Sequence, residues 1–237
     1  MVTSLLNEDA LTASSVVANR AMNRERQLTG VNSYERELGF RPLDWLRARL
    51  TDDDRRTEKT RVAWLDLCCG TGRALLQAAD ALRTEGLGDA TRLVGIDLVD
   101  AFTPRPPGGN VELVTASVVS WQPSGRFDLI TCVHGLHYVG DKLAVLTRAV
   151  DALTETGLFI ADFDAASIRR PDGQPMGRGL TTALRAAGLS YDARRHRLAC
   201  HGRREILLPF RYLGADDHAG PNYTHQPAVH SYYQPGS

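Results

Sequence analysis

From Val62 onward, short apolar runs alternate with longer stretches in which apolar residues recur every third or fourth position. The runs Val62 to Leu67, Arg92 to Asp97, Val111 to Thr115, Phe127 to Cys132 and Gly157 to Asp162 are mostly apolar and end in polar or glycine-containing segments. Such runs read as parallel strands buried on both faces. Amphipathic segments at about 72–85, 141–153 and 177–187 read as helices, most of them crossovers between strands. Two more runs, Tyr191 to Cys200 and Glu205 to Leu213, are separated only by His201-Gly202-Arg203-Arg204. That link is too short for a right-handed crossover, so the two runs are predicted to pair as an antiparallel hairpin. The fold class that follows is α/β: a doubly wound, seven-stranded, mostly parallel sheet closed by an antiparallel C-terminal hairpin.

Ahead of the first run, residues 1–30 are polar and Ala-rich with no sharp period, and residues 33–50 read as two short helices meeting at Arg41-Pro42. Proline suits a first helical turn. The stretch TDDDRRTEKTR at 51–61 is a charged linker entering a buried strand. Beyond Leu213, three histidines mix with Tyr223, Tyr232 and Tyr233 among prolines. A disordered end seldom carries so many aromatic residues, so this tail is expected to pack over a substrate crevice or against a second subunit of a homodimer.

Composition removes several classes of function. No run of about 18 apolar residues occurs, and the N-terminus is acidic where a leader peptide would be basic, so a soluble cytoplasmic protein with no membrane partner is expected. Lys plus Arg equals Asp plus Glu at 28 each, which leaves no excess positive charge for a nucleic-acid partner. The cysteines Cys68, Cys69, Cys132 and Cys200 have no CxxC spacing, so free thiols are expected in place of disulfides or zinc.

Candidate chemistry concentrates where the first strand ends, in Asp66-Leu67-Cys68-Cys69-Gly70-Thr71-Gly72-Arg73, which runs directly into a helix. Glycines there let the backbone approach a ligand closely. A dinucleotide fingerprint of the GxGxxG type would need a third small residue where Leu75 stands, which disfavours a nicotinamide cofactor. The second strand ends Gly95-Ile96-Asp97-Leu98, placing a carboxylate where it can accept hydrogen bonds from both hydroxyls of a ribose.

DLCCGTG resembles the glycine-rich motif of class I S-adenosylmethionine (SAM)-dependent methyltransferases, and GIDL resembles the acidic motif that follows it. The resemblance covers roughly residues 60–213 and implies three segments: an N-terminal helical lid or cap at 1–60, a SAM-binding domain at 61–214 and the tail at 215–237. It implies that Asp66, Gly70 and Gly72 line the methionine end of SAM and that the backbone around Cys68 and Cys69 closes the pocket. By the same resemblance Asp97 holds the ribose, Leu98 lies on the adenine, and the backbone of Cys132 and Val133 contacts the methionine part. Many members carry an acidic residue after the third strand for the adenine amino group; here Ala116-Ser117 stands there, so Ser117 would offer its hydroxyl. Tyr34, Arg36, Phe40 and Arg41 are the lid candidates facing the acceptor.

The loop after the fourth strand, Val133-His134-Gly135-Leu136-His137-Tyr138, is similar to the loop that lies above the transferred methyl group in small-molecule methyltransferases. Methyl transfer to oxygen or nitrogen needs alignment and removal of a proton, and a histidine with an ordinary pKa near ~6.5 suits the second task. His134 and His137 are therefore the catalytic candidates. Two histidines without a third placed ligand make a poor metal site, and no metal is expected. No Asn-Pro-Pro-Tyr segment follows the fourth strand, which argues against planar amide or adenine nitrogens as acceptors. The expected activity is methylation of a small biosynthetic intermediate at O or N, with S-adenosylhomocysteine (SAH) as product. The alternatives are methylation of a protein or RNA, or a non-catalytic SAM-binding role.

Overall fold

β1 (Val62–Leu67) is buried along its whole length and lies inside a seven-stranded sheet. The computed structural model describes residues 4–18, 25–51, 61–104 and 109–236, and most of the linker expected at 51–61 lies outside these described residues. β1 pairs in parallel with β2 (Thr91–Asp97) on one side and β4 (Phe127–Cys132) on the other. β3 (Val111–Thr115) adds in parallel beyond β2, and β5 (Leu153–Asp162) beyond β4. The order β3-β2-β1-β4-β5 reverses between β1 and β4, so the carboxyl ends of these two strands flank the crevice in which open α/β sheets bind ligands.

Alternation along β1 divides the core into two layers. Val62 and Trp64 pack with Leu46 of α3 (Pro42–Leu50) and with Leu75, Ala78 and Leu82 of α4 (Arg73–Thr84). Ala63, Leu65 and Leu67 face the cluster holding Leu146 and Val150 of α5 (Lys142–Asp151) and Leu180 and Leu184 of α6 (Arg178–Ala186). Two short N-terminal helices, α1 (Glu8–Thr12) and α2 (Tyr34–Leu38), lie over the strand ends, each capped by a side-chain oxygen of the residue before it, Asn7 and Ser33.

The antiparallel hairpin exists but is built from other residues than predicted. Tyr191 to Cys200 is two strands, β7 (Ser190–Asp192) and β8 (Arg197–His201), with β8 antiparallel to both β5 and β7. Polar residues in the middle of the run make the turn: the Asp192 carboxylate accepts from the Arg194 and Arg195 amides, and His196 adopts φ 49°. Glu205 to Leu213 does not enter this sheet. Its later residues start β9 (Phe210–Asp216), which pairs antiparallel with β10 (His230–Pro235), and β10 pairs in parallel with β6 (Ile168–Arg169) as a separate three-stranded sheet. The boundary drawn at 214 thus falls inside β9.

This second sheet is fastened to the first by buried polar contacts. Lys142, wholly buried, donates to the Val139 and Val229 carbonyls at 2.9 Å each and to Ser231 Oγ at 2.6 Å. Burial pushes its ammonium down to about 7. Tyr233 is 1% exposed; its hydroxyl accepts from the Leu143 amide at 3.1 Å and donates to Asp141 Oδ1 at 3.0 Å. Leu6 and Ala215 exchange two backbone hydrogen bonds of 2.8 and 3.0 Å, which ties the N-terminal segment to β9. Among the described residues no helix is long and apolar enough to cross a membrane.

Candidate functional site

The loop leaving β1 turns through three left-handed residues, Cys68 (φ 58°), Gly70 (φ 61°) and Gly72 (φ 73°). A Cβ on Gly72 would meet Leu113 at 2.8 Å, so glycine is needed there both for space and for the backbone angle. Asp97, 2% exposed at the end of β2, accepts from the Gly70 amide at 2.9 Å with one oxygen and from the Val99 amide at 3.0 Å with the other. Its carboxylate therefore shapes both loops.

The loop leaving β4 packs against the first one. His134 is left-handed (φ 57°), and Gly135 opens a short 3-10 turn, Gly135–Tyr138; a Cβ on Gly135 would lie 2.2 Å from Cys68 Cβ. A non-glycine residue at positive φ stores strain, and two such residues face each other across this crevice.

Two cavities meet along this line, and Cys68, Asp97, Gly135 and Tyr138 line both. The smaller, about 500 Å³, is largely apolar, with Leu11, Val17, Leu98, Val118 and Val139 in its wall beside Glu8 and Ser117. Ser117 Oγ lies 3.4 Å from Glu8 Oε1, while Glu8 Oε2 is buried with no hydrogen-bond partner. Burial raises the Glu8 carboxyl above its ordinary range. The larger cavity, about 1270 Å³ and open to solvent, is lined by Cys69, Gly70 and Val133 at its floor. Arg26, Tyr34, Glu37, His134, Tyr223, Thr224 and Gln226 form its walls.

His134 stands in the larger cavity between two carboxylates. Its Nε2 is 3.2 Å from Glu37 Oε2 and 3.8 Å from Asp162 Oδ2, and its backbone amide donates to Asp162 Oδ2 at 3.1 Å. The hydrogen bond from His134 lowers the Glu37 carboxyl below its ordinary value, whereas burial raises that of Asp162. One ligand atom from each of these three residues lies within 4.8 Å of the others, a spacing that could also hold a cation. His137, the other catalytic candidate, is turned away from the cavity. It is 2% exposed, burial pushes its imidazole down to about 3, and its ring packs edge-on against Tyr223 at 5.2 Å. It is thus a neutral packing residue under the loop.

Asp66 lies beneath the cavity instead of lining it, 1% exposed. Its oxygens accept from Tyr34 Oη and Thr131 Oγ1, both at 2.6 Å, and Thr131 Oγ1 in turn accepts from Trp64 Nε1 at 2.9 Å. Burial dominates over these two donors and pushes the Asp66 carboxyl up to about 7. Gly72 likewise stays outside the lining, as the residue capping α4, and Cys132 is wholly buried at the end of β4. Leu98 and Ser117 reach only the smaller cavity.

Of the lid candidates, the structure brings only Tyr34 to the cavity. Arg36 points outward to the Val31 carbonyl, Phe40 packs on the α3–α4 layer, and Arg41, 62% exposed, pairs with Glu35 and Asp44. The residue of α2 that reaches the site besides Tyr34 is Glu37, one helical turn further on the same face. Arg197 of β8 donates to the Glu37 carbonyl and holds that turn in place.

Glu8, Arg26, Glu37, Asp162, Thr224 and Gln226 were not singled out from the sequence. For Asp162 a signal was available, since it ends β5 as Asp97 ends β2. Tyr223 belongs to the tail, where its ring stacks on His196 at 3.9 Å and brings the link between β9 and β10 over the cavity.

Matches among solved structures are at low identity and low TM-score. The plantazolicin methyltransferase BpumL, in complex with a pentazolic desmethylPZN analog and SAH, is 19% identical, with TM-score 0.36 over 51% of this chain and 47% of that one. A SAM-bound amino pentose methyltransferase from Micromonospora echinaspora, involved in calicheamicin biosynthesis, is 21% identical, with TM-score 0.36 over 54% and 52%. The N-methyltransferase NodS from Bradyrhizobium japonicum, in complex with SAH, is 16% identical, with TM-score 0.37 over 68% and 97%. The chain spans about half the length of the first solved structures it matches. No curated protein matches it in sequence. Residues 34–207, most of the chain and the whole of the large sheet, match the family described as methyltransferase domain, and the chain belongs to that family.

Proposed function

We propose that the protein is a SAM-dependent methyltransferase acting on an oxygen or nitrogen nucleophile of a polar small molecule. The observation that carries this reading is His134, held between Glu37 and Asp162 in a cavity whose far end is the Gly70–Asp97 pair. When bound, SAM supplies an electrophilic methyl group on a sulfonium sulfur.

The donor set fits that group. An apolar slot flanked by Leu98 and Val118 suits an adenine, and Glu8 in its wall beside Ser117 offers an acceptor for an exocyclic amine. Asp97, where the two cavities meet, is an acceptor placed for a ribose diol. The floor of Cys69, Gly70 and Val133 suits the methionine part. On the acceptor side His134 takes the proton released as the nucleophile forms its new bond, and the two carboxylates stabilise the imidazolium that results. Tyr223, Thr224 and Gln226 supply a polar wall for the acceptor.

Calorimetry with SAM and SAH tests the cofactor half of this reading. Binding by the wild type that Asp97→Ala weakens by at least about a hundredfold, the worth of two hydrogen bonds to a charged group, supports it. Absence of binding by the wild type overturns it. SAH release on incubation with panels of hydroxyl- and amine-bearing small molecules then decides the acceptor.

A further inference from the structure

Cys68 and Cys132 follow Leu67 and Thr131 at the carboxyl ends of neighbouring strands, whose register pairs Asp66 with Thr131. The two sulfurs converge. A Cβ built on Gly135 would lie 2.8 Å from Cys68 Sγ and 2.9 Å from Cys132 Sγ, and the neighbouring Cys68 thiol pushes that of Cys132 up. Their surroundings differ: Cys68 is half-buried and lines both cavities, whereas Cys132 is fully enclosed. Cys69 and Cys200 are buried too, with Cys69 Sγ directed to the Gly70 carbonyl and Cys200 Sγ to the Gly202 carbonyl.

From this arrangement we propose that Cys68 and Cys132 form an oxidisable pair in the wall of the ligand cleft, which a peroxide converts to a disulfide. The chemistry balances in two steps. The Cys68 sulfur attacks one peroxide oxygen, the O–O bond breaks, and the thiol becomes a sulfenic acid with release of water. Cys132 sulfur then displaces the hydroxyl of that sulfenic acid, forming the S–S bond and a second water, so the two thiols are oxidised by two electrons and the peroxide is reduced. Cys68 is the entry point because it alone of the pair borders the cavities.

The bridge has a consequence at the junction of the two cavities. Drawing Cys68 Sγ onto Cys132 fixes the left-handed residue between Leu67 and Cys69 and reshapes the wall where both cavities meet. The protein with the bridge therefore binds SAH at least about tenfold more weakly than the reduced protein, a difference of about 1.4 kcal/mol. That consequence rests on the SAM reading; the bridge itself does not.

Intact mass, thiol titration and SAH calorimetry on the full chain before and after hydrogen peroxide, and again after reductant, test the proposal. The expected result is loss of two hydrogens, a fall from four titratable thiols to two in denaturant, a cross-linked peptide pair holding Cys68 and Cys132, and weakened SAH binding restored by reduction. SAH added beforehand slows the reaction. Cys132→Ser and Cys68→Ser each abolish the cross-link, and the ratio of SAH affinities before and after peroxide falls to that of an unbridged protein whatever the starting affinity of the variant. Four thiols surviving treatment, or oxygen added to Cys68 with no cross-link, overturns the pair. A cross-link with unchanged SAH affinity overturns the gating. If the reduced wild type does not bind SAH, the cofactor reading fails, while the cross-link still decides the bridge.

Discussion

Tyr34→Phe removes one hydroxyl and nothing else from the network under the cleft. The ring remains, with its edge-on contact to Trp64 at 6.1 Å, so packing is conserved and the change isolates the 2.6 Å hydrogen bond to Asp66. A hydrogen bond to a charged group contributes about 1.5–3 kcal/mol, and one between neutral groups about 0.5–1.5. Asp66, pushed up to about 7, is ionised at pH 8 and protonated at pH 5.5, so the two limits can be reached in one protein. The sign follows from linkage. Because the folded pKa lies above the unfolded one, the carboxyl favours folding at low pH and loses that contribution as pH rises toward 7. Removing a donor raises the folded pKa further and extends the loss to higher pH. The variant should therefore be about 1.5–3 kcal/mol less stable than the parent at pH 8 and about 0.5–1.5 at pH 5.5. In a chain of this size the pH 8 loss lowers Tm by roughly 3–12 °C. Urea unfolding at the two pH values reads the difference directly. An equal loss at both would refute the assignment of Asp66 as the group whose charge Tyr34 supports.

Other perturbations address the remaining groups. His134→Asn should lower kcat by about 10²–10⁴-fold while SAH affinity stays within a few-fold, the signature of a lost proton acceptor; an undiminished kcat removes His134 from the chemistry. Glu37→Gln should lower kcat by up to about a hundredfold while SAH affinity stays within a few-fold, because His134 Nε2 loses the carboxylate that holds the ring in place; an unchanged kcat separates Glu37 from His134. Glu8→Ala should weaken SAH binding in proportion to the lost acceptor, by about 5- to 100-fold, and calorimetry reads it. For Lys142→Met, the parent gains stability relative to the variant as pH rises from about 7 toward 10.5. Its buried ammonium deprotonates in the folded state first, with a slope of at most about 1.4 kcal/mol per pH unit; a flat difference across that window would show that Lys142 is not depressed.

The parallel core was legible because strands buried on both faces are apolar regardless of which neighbour they face. β1, β3 and β4 carry the bounds read from the sequence. The hairpin strands were misread because Asp192-Ala193-Arg194-Arg195-His196 is a turn enclosed by residues that would also suit one continuous strand. The pairing of Ile168 with Ser231 joins segments far apart in sequence and leaves no local period to detect. At the site, Asp97 and the glycine loop were legible from their places at strand ends. Glu37 was not, since in Tyr34-Glu35-Arg36-Glu37 every charge looks alike until the helix face is known. Asp66 was legible from the motif, but its partners were not: the motif indicates that an acid is present, not that Tyr34 and Thr131 donate to it.

The contact between Leu6 and Ala215 also bears on how the chain reaches its fold. More than two hundred residues separate the two partners, yet they carry a two-bond bridge, and α1 with its Glu8 is set against β9 by it. Closing so large a loop in an unfolded chain is entropically unfavourable, and such a contact forms readily only once the large sheet has brought its ends together. The cavity wall that carries Glu8 is therefore a late product of folding, assembled after the sheet it covers. During refolding, protection of the Leu6 and Ala215 amides should lag behind that of β1 and β4, and ligand binding should appear with the slower of the two phases.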